Sequence, residues 1–176
     1  MNKGYVWHNG AVGFAFVPRS GTQILLKEII AKYHPQSTAE FIISDTEWKP
    51  VSTLESVKEL NSLEISSLDF AVVVRDPLER FRSSCLKLNY SVEQALNDLN
   101  NVHLVSLKNM GLLESSNVRC FPYSNEGLAS CSSYLGLDKS PTLPEEDENK
   151  KPILTQEQID LIKSAYSYDC EVFSKL

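Results

Sequence analysis

Phe70-Ala-Val-Val-Val-Arg-Asp-Pro-Leu-Glu-Arg-Phe-Arg-Ser83 and, upstream of it, Phe14-Ala-Phe-Val-Pro-Arg-Ser-Gly-Thr-Gln23 decide how this chain folds. Each is an apolar run that enters a polar turn and continues with a helical pattern. Each also sets an arginine, Arg75 or Arg19, close to where the apolar run ends. Short apolar runs bounded in this way read as buried strands. Two strand-to-helix crossovers in a small domain describe a parallel sheet, with an anion site at the carboxyl ends of its strands. The pair of turns points to a ligand with two separated phosphates.

Outward from these two stretches the pattern is regular. Residues 11–17 alternate small and large apolar groups and end at Pro18, as a buried first strand would. From Gly21 the period changes: Leu25, Leu26, Ile29, Ile30 and Tyr33 share one helical face, and His34-Pro35 stops the helix. Phe41-Ile-Ile43 is a short second strand, residues 45–52 with Trp48 and Pro50 a loop, and Thr53 to Asn61 a weak helix. Asp69 to Arg75 is the most strand-like stretch. Pro77 follows at a first helical position, where its missing N–H costs nothing. Leu78, Phe81, Cys85 and Leu88 form the apolar stripe of that helix.

Ser91 with Gln94 makes a capping box for a helix reaching Leu99, and Val118 to Tyr123 a further strand before a helix that ends near Gly136. Glu145-Glu-Asp-Glu148 and Asn149-Lys-Lys-Pro152 form a charged surface loop. Thr155 and Gln158 cap a final helix with the stripe Ile159, Ile162, Tyr166 and Phe173. The order predicts one domain over residues 1–176, a three-layer α/β/α fold around a central, mostly parallel sheet.

Composition narrows the function classes. At 176 residues the chain can bury a true core in one domain. Its net charge of −6 argues against nucleic acid as a partner, so any anion site must be local. Cys85, Cys120, Cys131 and Cys170 show neither C-x-x-C pairing nor metal-ligand spacing, and read as reduced thiols. Gly10, Gly13 and Pro18 interrupt the N-terminal apolar run, so neither a signal peptide nor a membrane span is expected. A soluble, cytoplasmic protein with no membrane partner follows.

The chemistry lies in the two turns. A helix beginning near Gly21 leaves its first N–H groups unpaired and adds the positive end of its dipole, which suits phosphate or sulfate. Gly21 allows close backbone approach, Thr22 adds a hydroxyl, and Arg19 adds a charged, planar donor fork. The Walker pattern is absent, because the loop is short and no lysine precedes Thr22. In the second turn Arg75 should emerge at the same sheet edge. Ser83, roughly opposite the Leu78/Phe81/Cys85/Leu88 stripe, is not a core residue and can join Arg75 on one phosphate. The alternatives are that Arg75 pairs with Asp76 or Glu79 and that Ser83 faces water. Arg80, Arg82 and Lys87 read as a solvated face.

Pro18-Arg-Ser-Gly-Thr22 resembles the 5′-phosphosulfate loop of sulfotransferases that use 3′-phosphoadenosine 5′-phosphosulfate (PAPS). Val74-Arg-Asp-Pro-Leu-Glu-Arg-Phe-Arg-Ser83 resembles their 3′-phosphate motif, including the arginine-to-serine interval. Looser likenesses are Ser124 to Leu137, which ends Tyr-Leu-Gly-Leu, and Leu154 to Phe173, similar to the carboxyl-terminal helix of the carbohydrate sulfotransferase branch. Arg19 stands where many members carry lysine, and Gln23 where threonine or serine is common.

The resemblance implies a P-loop NTPase-like sulfotransferase fold. It also implies transfer of a sulfuryl group from PAPS, without a metal, to a hydroxyl or amine of a small-molecule or carbohydrate acceptor. Arg19 and the N–H groups of Ser20, Gly21, Thr22 and Gln23 would hold the 5′-phosphate, and Arg75 with Ser83 the 3′-phosphate. Glu40, before the second strand, is the first candidate for the base and His103 the second; Glu40 reads equally as a solvated carboxylate. His34 reads as a helix-end histidine, and His8 falls in a frayed segment. Lys150 and Lys151 could close over the phosphates from the late loop, but a solvated charge run is the better reading. Other functions open to the sequence are a non-catalytic nucleotide-binding module that binds adenosine 3′,5′-bisphosphate (PAP) and a small kinase.

Overall fold

Asn9 and Gly10 turn the chain back on itself and start the sheet. The Asn9 side chain accepts from the N–H groups of Ala11 and Val12, and Gly10 takes a φ of 89°. This joins β1 (Tyr5–His8) to β2 (Val12–Ala15) as an antiparallel pair. The computed structural model of the chain describes residues 5–36, 57–59, 69–111 and 117–176. Glu40, the expected strand Phe41-Ile-Ile43 and the expected loop 45–52 lie outside the described residues. His8 corrects the sequence reading, because it belongs to β1 and pairs with Gly13 rather than fraying.

Five strands make one sheet in the order β3-β1-β2-β4-β5, with β3 at Val57–Glu59, β4 at Asp69–Val74 and β5 at Val118–Pro122. β2, β4 and β5 pair in parallel, while β1 is antiparallel to both β2 and β3. All strands except β1 therefore run the same way, and the sheet is mostly parallel. Val57–Glu59 overturns the helix expected from Thr53 to Asn61. The free edge of β1 offers a row of unpaired backbone groups, and pairing with it outweighs a weak helical pattern.

Strand alternation builds a core on each face of the sheet. Trp7, Phe14, Phe16, Ala71 and Val73 meet Leu25, Leu26 and Ile29 of α1 (Thr22–Tyr33) and Leu128 and Cys131 of α4 (Asn125–Tyr134). On the other face Val6, Ala15, Val17, Phe70, Val72 and Val74 meet Val105, Leu107 and Met110, with Val172 and Phe173 of α6 (Ser167–Phe173) against them. A third cluster ties α2 (Pro77–Leu88), α3 (Val92–Asn97) and α5 (Gln156–Ala165) through Phe81, Cys85, Ala95 and Ile162. The fold is α/β with both sheet faces covered.

Local signals hold at most helix starts. Pro77 sits in the first turn of α2 behind the cap Asp76, and both expected capping boxes, Ser91 with Gln94 and Thr155 with Gln158, are formed. Gly127 lets α4 lie against the end of β5, since a Cβ there would stand 1.9 Å from the Pro122 carbonyl oxygen. The expected final helix divides at Tyr166, whose hydroxyl donates to the Leu104 carbonyl.

Arg80 departs most from expectation. It is 3% exposed rather than part of a solvated face, and Nη2 donates to Asp169 of α6 at 2.9 Å. The Asp169 carboxylate also accepts from the Leu107 N–H, so one side chain joins α2, α6 and the 102–110 segment. Asp169→Ala strands a buried guanidinium and a buried N–H, and should cost about 3–5 kcal/mol of stability by urea unfolding. A loss below about 1 kcal/mol would place this pair with solvent-relaxed surface bridges.

Candidate functional site

Because β2, β4 and β5 are parallel, the residues that follow them gather at one sheet edge. Those residues are the 18–21 loop, Arg75 and Tyr123. The loop and Tyr123 border a cavity of about 280 Å³ lined by Arg19, Gly21, Thr22, Gln23, Ile24, Lys87, His103, Tyr123, Pro144 and Glu146, and Arg75 reaches it through Glu146.

The first loop is held from within. The Val17 N–H donates to Thr22 Oγ1 at 3.0 Å, and the Thr22 hydroxyl donates back to the Val17 carbonyl at 2.6 Å. The Thr22 hydroxyl is thus committed to closing the loop, which corrects its expected service to an anion. Ser20 is fully buried, with its N–H on the Val17 carbonyl and its Oγ without a partner among the described residues. Gly21 caps α1 at φ 77°, no side chain caps the helix, and its first residues, Thr22 and Gln23, line the cavity. Arg19 takes a left-handed φ of 61°, a conformation that costs a residue with a Cβ roughly 1–2 kcal/mol.

The Arg19 guanidinium reaches across to α2. Its Nε and Nη2 both donate to Ser83 Oγ, at 3.0 and 2.8 Å. Ser83 is fully buried, yet it faces the site and not the α2 stripe. A planar fork made for two oxygens here converges on one. Burial lowers the Arg19 pKa, Glu146 opposes that shift and Arg75 adds to it, so its charged form is held at a cost. Ser84, the next residue of α2, donates to the His103 carbonyl at 2.6 Å and holds His103 at the cavity.

Arg75 is 7% exposed and fully engaged. Nη1 donates to the Arg19 carbonyl at 3.2 Å and to Glu146 Oε1 at 2.8 Å, and Nη2 donates to Glu146 Oε2 at 2.5 Å. Its guanidinium lies 4.7 Å from the centre of the Tyr123 ring. Arg75 and Ser83 therefore do not stand as an isolated pair: Ser83 is bonded by Arg19, and Arg75 by Glu146. The two motifs are thus hydrogen-bonded to one another at the sheet edge.

Lys151 joins this site and corrects its placement in a solvated run. Its ammonium is buried among Glu79, Glu146 and Glu148, at 3.1, 2.5 and 2.5 Å, whereas Lys150 stays exposed. Arg82 pairs with Glu79 and Glu148. Desolvation pushes the Glu146 carboxyl upward, but hydrogen bonds from Arg75 and Lys151 win and hold it near about 2. Its folded pKa is depressed, so its stabilising contribution is complete above the ordinary carboxylate range and is lost as pH falls from there through about 2.

Of the sequence-selected residues, Arg19, Ser20, Gly21, Thr22, Gln23, Arg75 and Ser83 come together, and His103 joins them at the cavity. His34 lies elsewhere, accepting the Trp7 indole N–H at 3.0 Å. Tyr123, Lys87 and Glu146 also belong to the site, beyond the residues selected from sequence. Tyr123 was within reach of that reading, since it follows the third parallel strand, and Lys87 lies one turn beyond Ser83. Among the described residues no His, Cys, Asp or Glu cluster is placed to hold a metal, and no helix is long and apolar enough to cross a membrane. No protein-family model matches the chain, and neither the curated proteins nor the solved structures give a significant match.

Gly21→Ala tests the loop. Its Cβ would meet Tyr123 at 3.2 Å from a left-handed backbone, so thermal unfolding should show a loss of about 1–2 kcal/mol. An unchanged midpoint would mean that the loop is free to relax.

Proposed function

We propose that the chain is a sulfotransferase that binds PAPS and transfers its sulfuryl group to a hydroxyl or amine of a small-molecule or carbohydrate acceptor. The observation that carries this reading is the direct hydrogen bonding of Arg19 to Ser83, across 64 positions, with Arg75 donating to the Arg19 carbonyl. Two motifs chosen for phosphate recognition thus meet at the carboxyl edge of a mostly parallel sheet, beside an uncapped helix N-terminus. The P-loop NTPase-like sulfotransferase fold is part of the same proposal, supported by the strand-loop-helix passages at β2–α1 and β4–α2. The cytoplasmic setting is supported by four free cysteines.

PAPS supplies the activated sulfuryl group and leaves as PAP. On this reading Arg19 exchanges Ser83 for the 5′-phosphate, where the first N–H groups of α1 add donors. Ser83 and Arg75 receive the 3′-phosphate, the group that separates this nucleotide from ATP. Transfer by in-line displacement asks the protein for positioning and charge stabilisation more than covalent chemistry, and buried guanidinium groups supply both. His103 is the base candidate that lies at the cavity; Glu40 keeps that role open from outside the described residues.

Calorimetric titration with PAP should give micromolar binding, with AMP and ATP much weaker, and Arg75→Ala should remove it. Equal affinity for the three nucleotides would sink the reading. In acceptor assays with PAPS, Arg19→Ala should abolish turnover, and near-normal turnover would remove Arg19 from the mechanism. His103→Ala should lower turnover by about 10²-fold or more while PAP still binds. Loss instead in Glu40→Gln, with His103→Ala fully active, would assign the base to Glu40.

A further inference from the structure

The acidic segment that follows α4 lies against the site. Its Glu146 carboxylate presents two oxygens to the two terminal nitrogens of Arg75 and a further contact to Lys151, the pattern a phosphate would adopt. Pro144 and Glu146 also form part of the cavity wall. With them in place the cavity measures about 280 Å³.

Among the described residues the other contacts of this segment are mostly ionic too, with Arg82 on Glu148 and Lys151 on Glu79. Pro144, Glu145, Asp147, Glu148, Asn149 and Lys150 are exposed. Its ends are fixed, by the Leu143 N–H on Asn125 Oδ1 at 2.9 Å and by Arg82 Nε on the Pro152 carbonyl at 3.0 Å. Between those anchors the buried contacts are ionic, made by Glu146 and Lys151. A strap tethered at both ends and fastened by charge can be released by an anion that replaces its carboxylate.

We infer that residues 143–152 form an autoinhibitory strap whose Glu146 carboxylate is an internal stand-in for a phosphate of the ligand. Nucleotide binding expels Glu146 from Arg75, opens the cavity, and leaves Lys151 free to turn from Glu146 to the incoming phosphate. The inference rests on the phosphate-site reading above. A closed strap reduces apparent affinity by the fraction of molecules that are open, and removing the stand-in removes that penalty.

The test uses the full chain with Glu146→Gln, which keeps size and loses charge, and Glu145→Gln, which removes the same charge from an exposed neighbour. Amide hydrogen exchange without ligand should accelerate across 143–151 in Glu146→Gln and not in Glu145→Gln. PAP affinity should rise about tenfold in Glu146→Gln and change less than about twofold in Glu145→Gln. PAP binding by the unaltered protein with no gain in Glu146→Gln overturns the strap and leaves the phosphate site standing. Equal gains in both variants reduce the effect to bulk charge and overturn it too. Binding by Glu146→Gln alone supports both readings, and no binding by any form overturns both.

Discussion

Parallel pairing of β2, β4 and β5 is the constraint from which the site follows. Parallel strands send their carboxyl ends to one edge, so whatever residues come next are neighbours whatever their separation in sequence. Here those residues are the Arg19 loop, Arg75 and Tyr123. Two guanidinium groups brought together with little solvent around them repel each other and lose hydration. The structure answers with Glu146 on Arg75 and a serine hydroxyl on Arg19, so the two cations are treated unequally.

That inequality has a chemical sense. Glu146 gives Arg75 a matched two-oxygen partner and is itself held far below the ordinary carboxylate range. Among the described residues Arg19 shares one neutral oxygen between two donors, and burial disfavours its charged form while Glu146 partly offsets that. An anion entering the cavity gains most beside Arg19 and must compete for Arg75. The net charge of −6 is no obstacle, because several carboxylates nearby, Glu79, Glu146 and Glu148, are already neutralised by Arg75, Arg82 and Lys151.

Local sequence carried the elements whose causes are local. The α1 face of Leu25, Leu26 and Ile29, the Pro77 start of α2 and both capping boxes depend on residues a few positions apart, and all are present. What stayed illegible depends on distant partners. The stripe of α2 marks Arg80 as polar and outward, but Asp169 arrives 89 positions later to bury it. Val57–Glu59 becomes a strand because β1 offers an edge, and Glu146 reaches Arg75 across 71 positions from a run that looks only like a solvated loop. The edge site was legible because strand-end arginines announce themselves; its cover was not, because charge runs look alike whether solvated or docked.

Rigid and adaptable parts are divided within the site. The 18–21 loop is closed by the reciprocal Val17–Thr22 hydrogen bonds and packed on Tyr123 through Gly21, so its geometry is kept without a ligand. Keeping Arg19 in a left-handed conformation costs stability, and the internal bonds of the loop offset that cost before any anion arrives. The segment over it works the other way, with mostly exposed residues between two tethers and ionic contacts beneath. A site built like this spends little reorganisation on its donors, since they are already placed, and meets its main barrier in exchanging one carboxylate. On the proposed reading, selectivity falls on anions that offer Arg75 at least what Glu146 does, two oxygens in one plane with full charge.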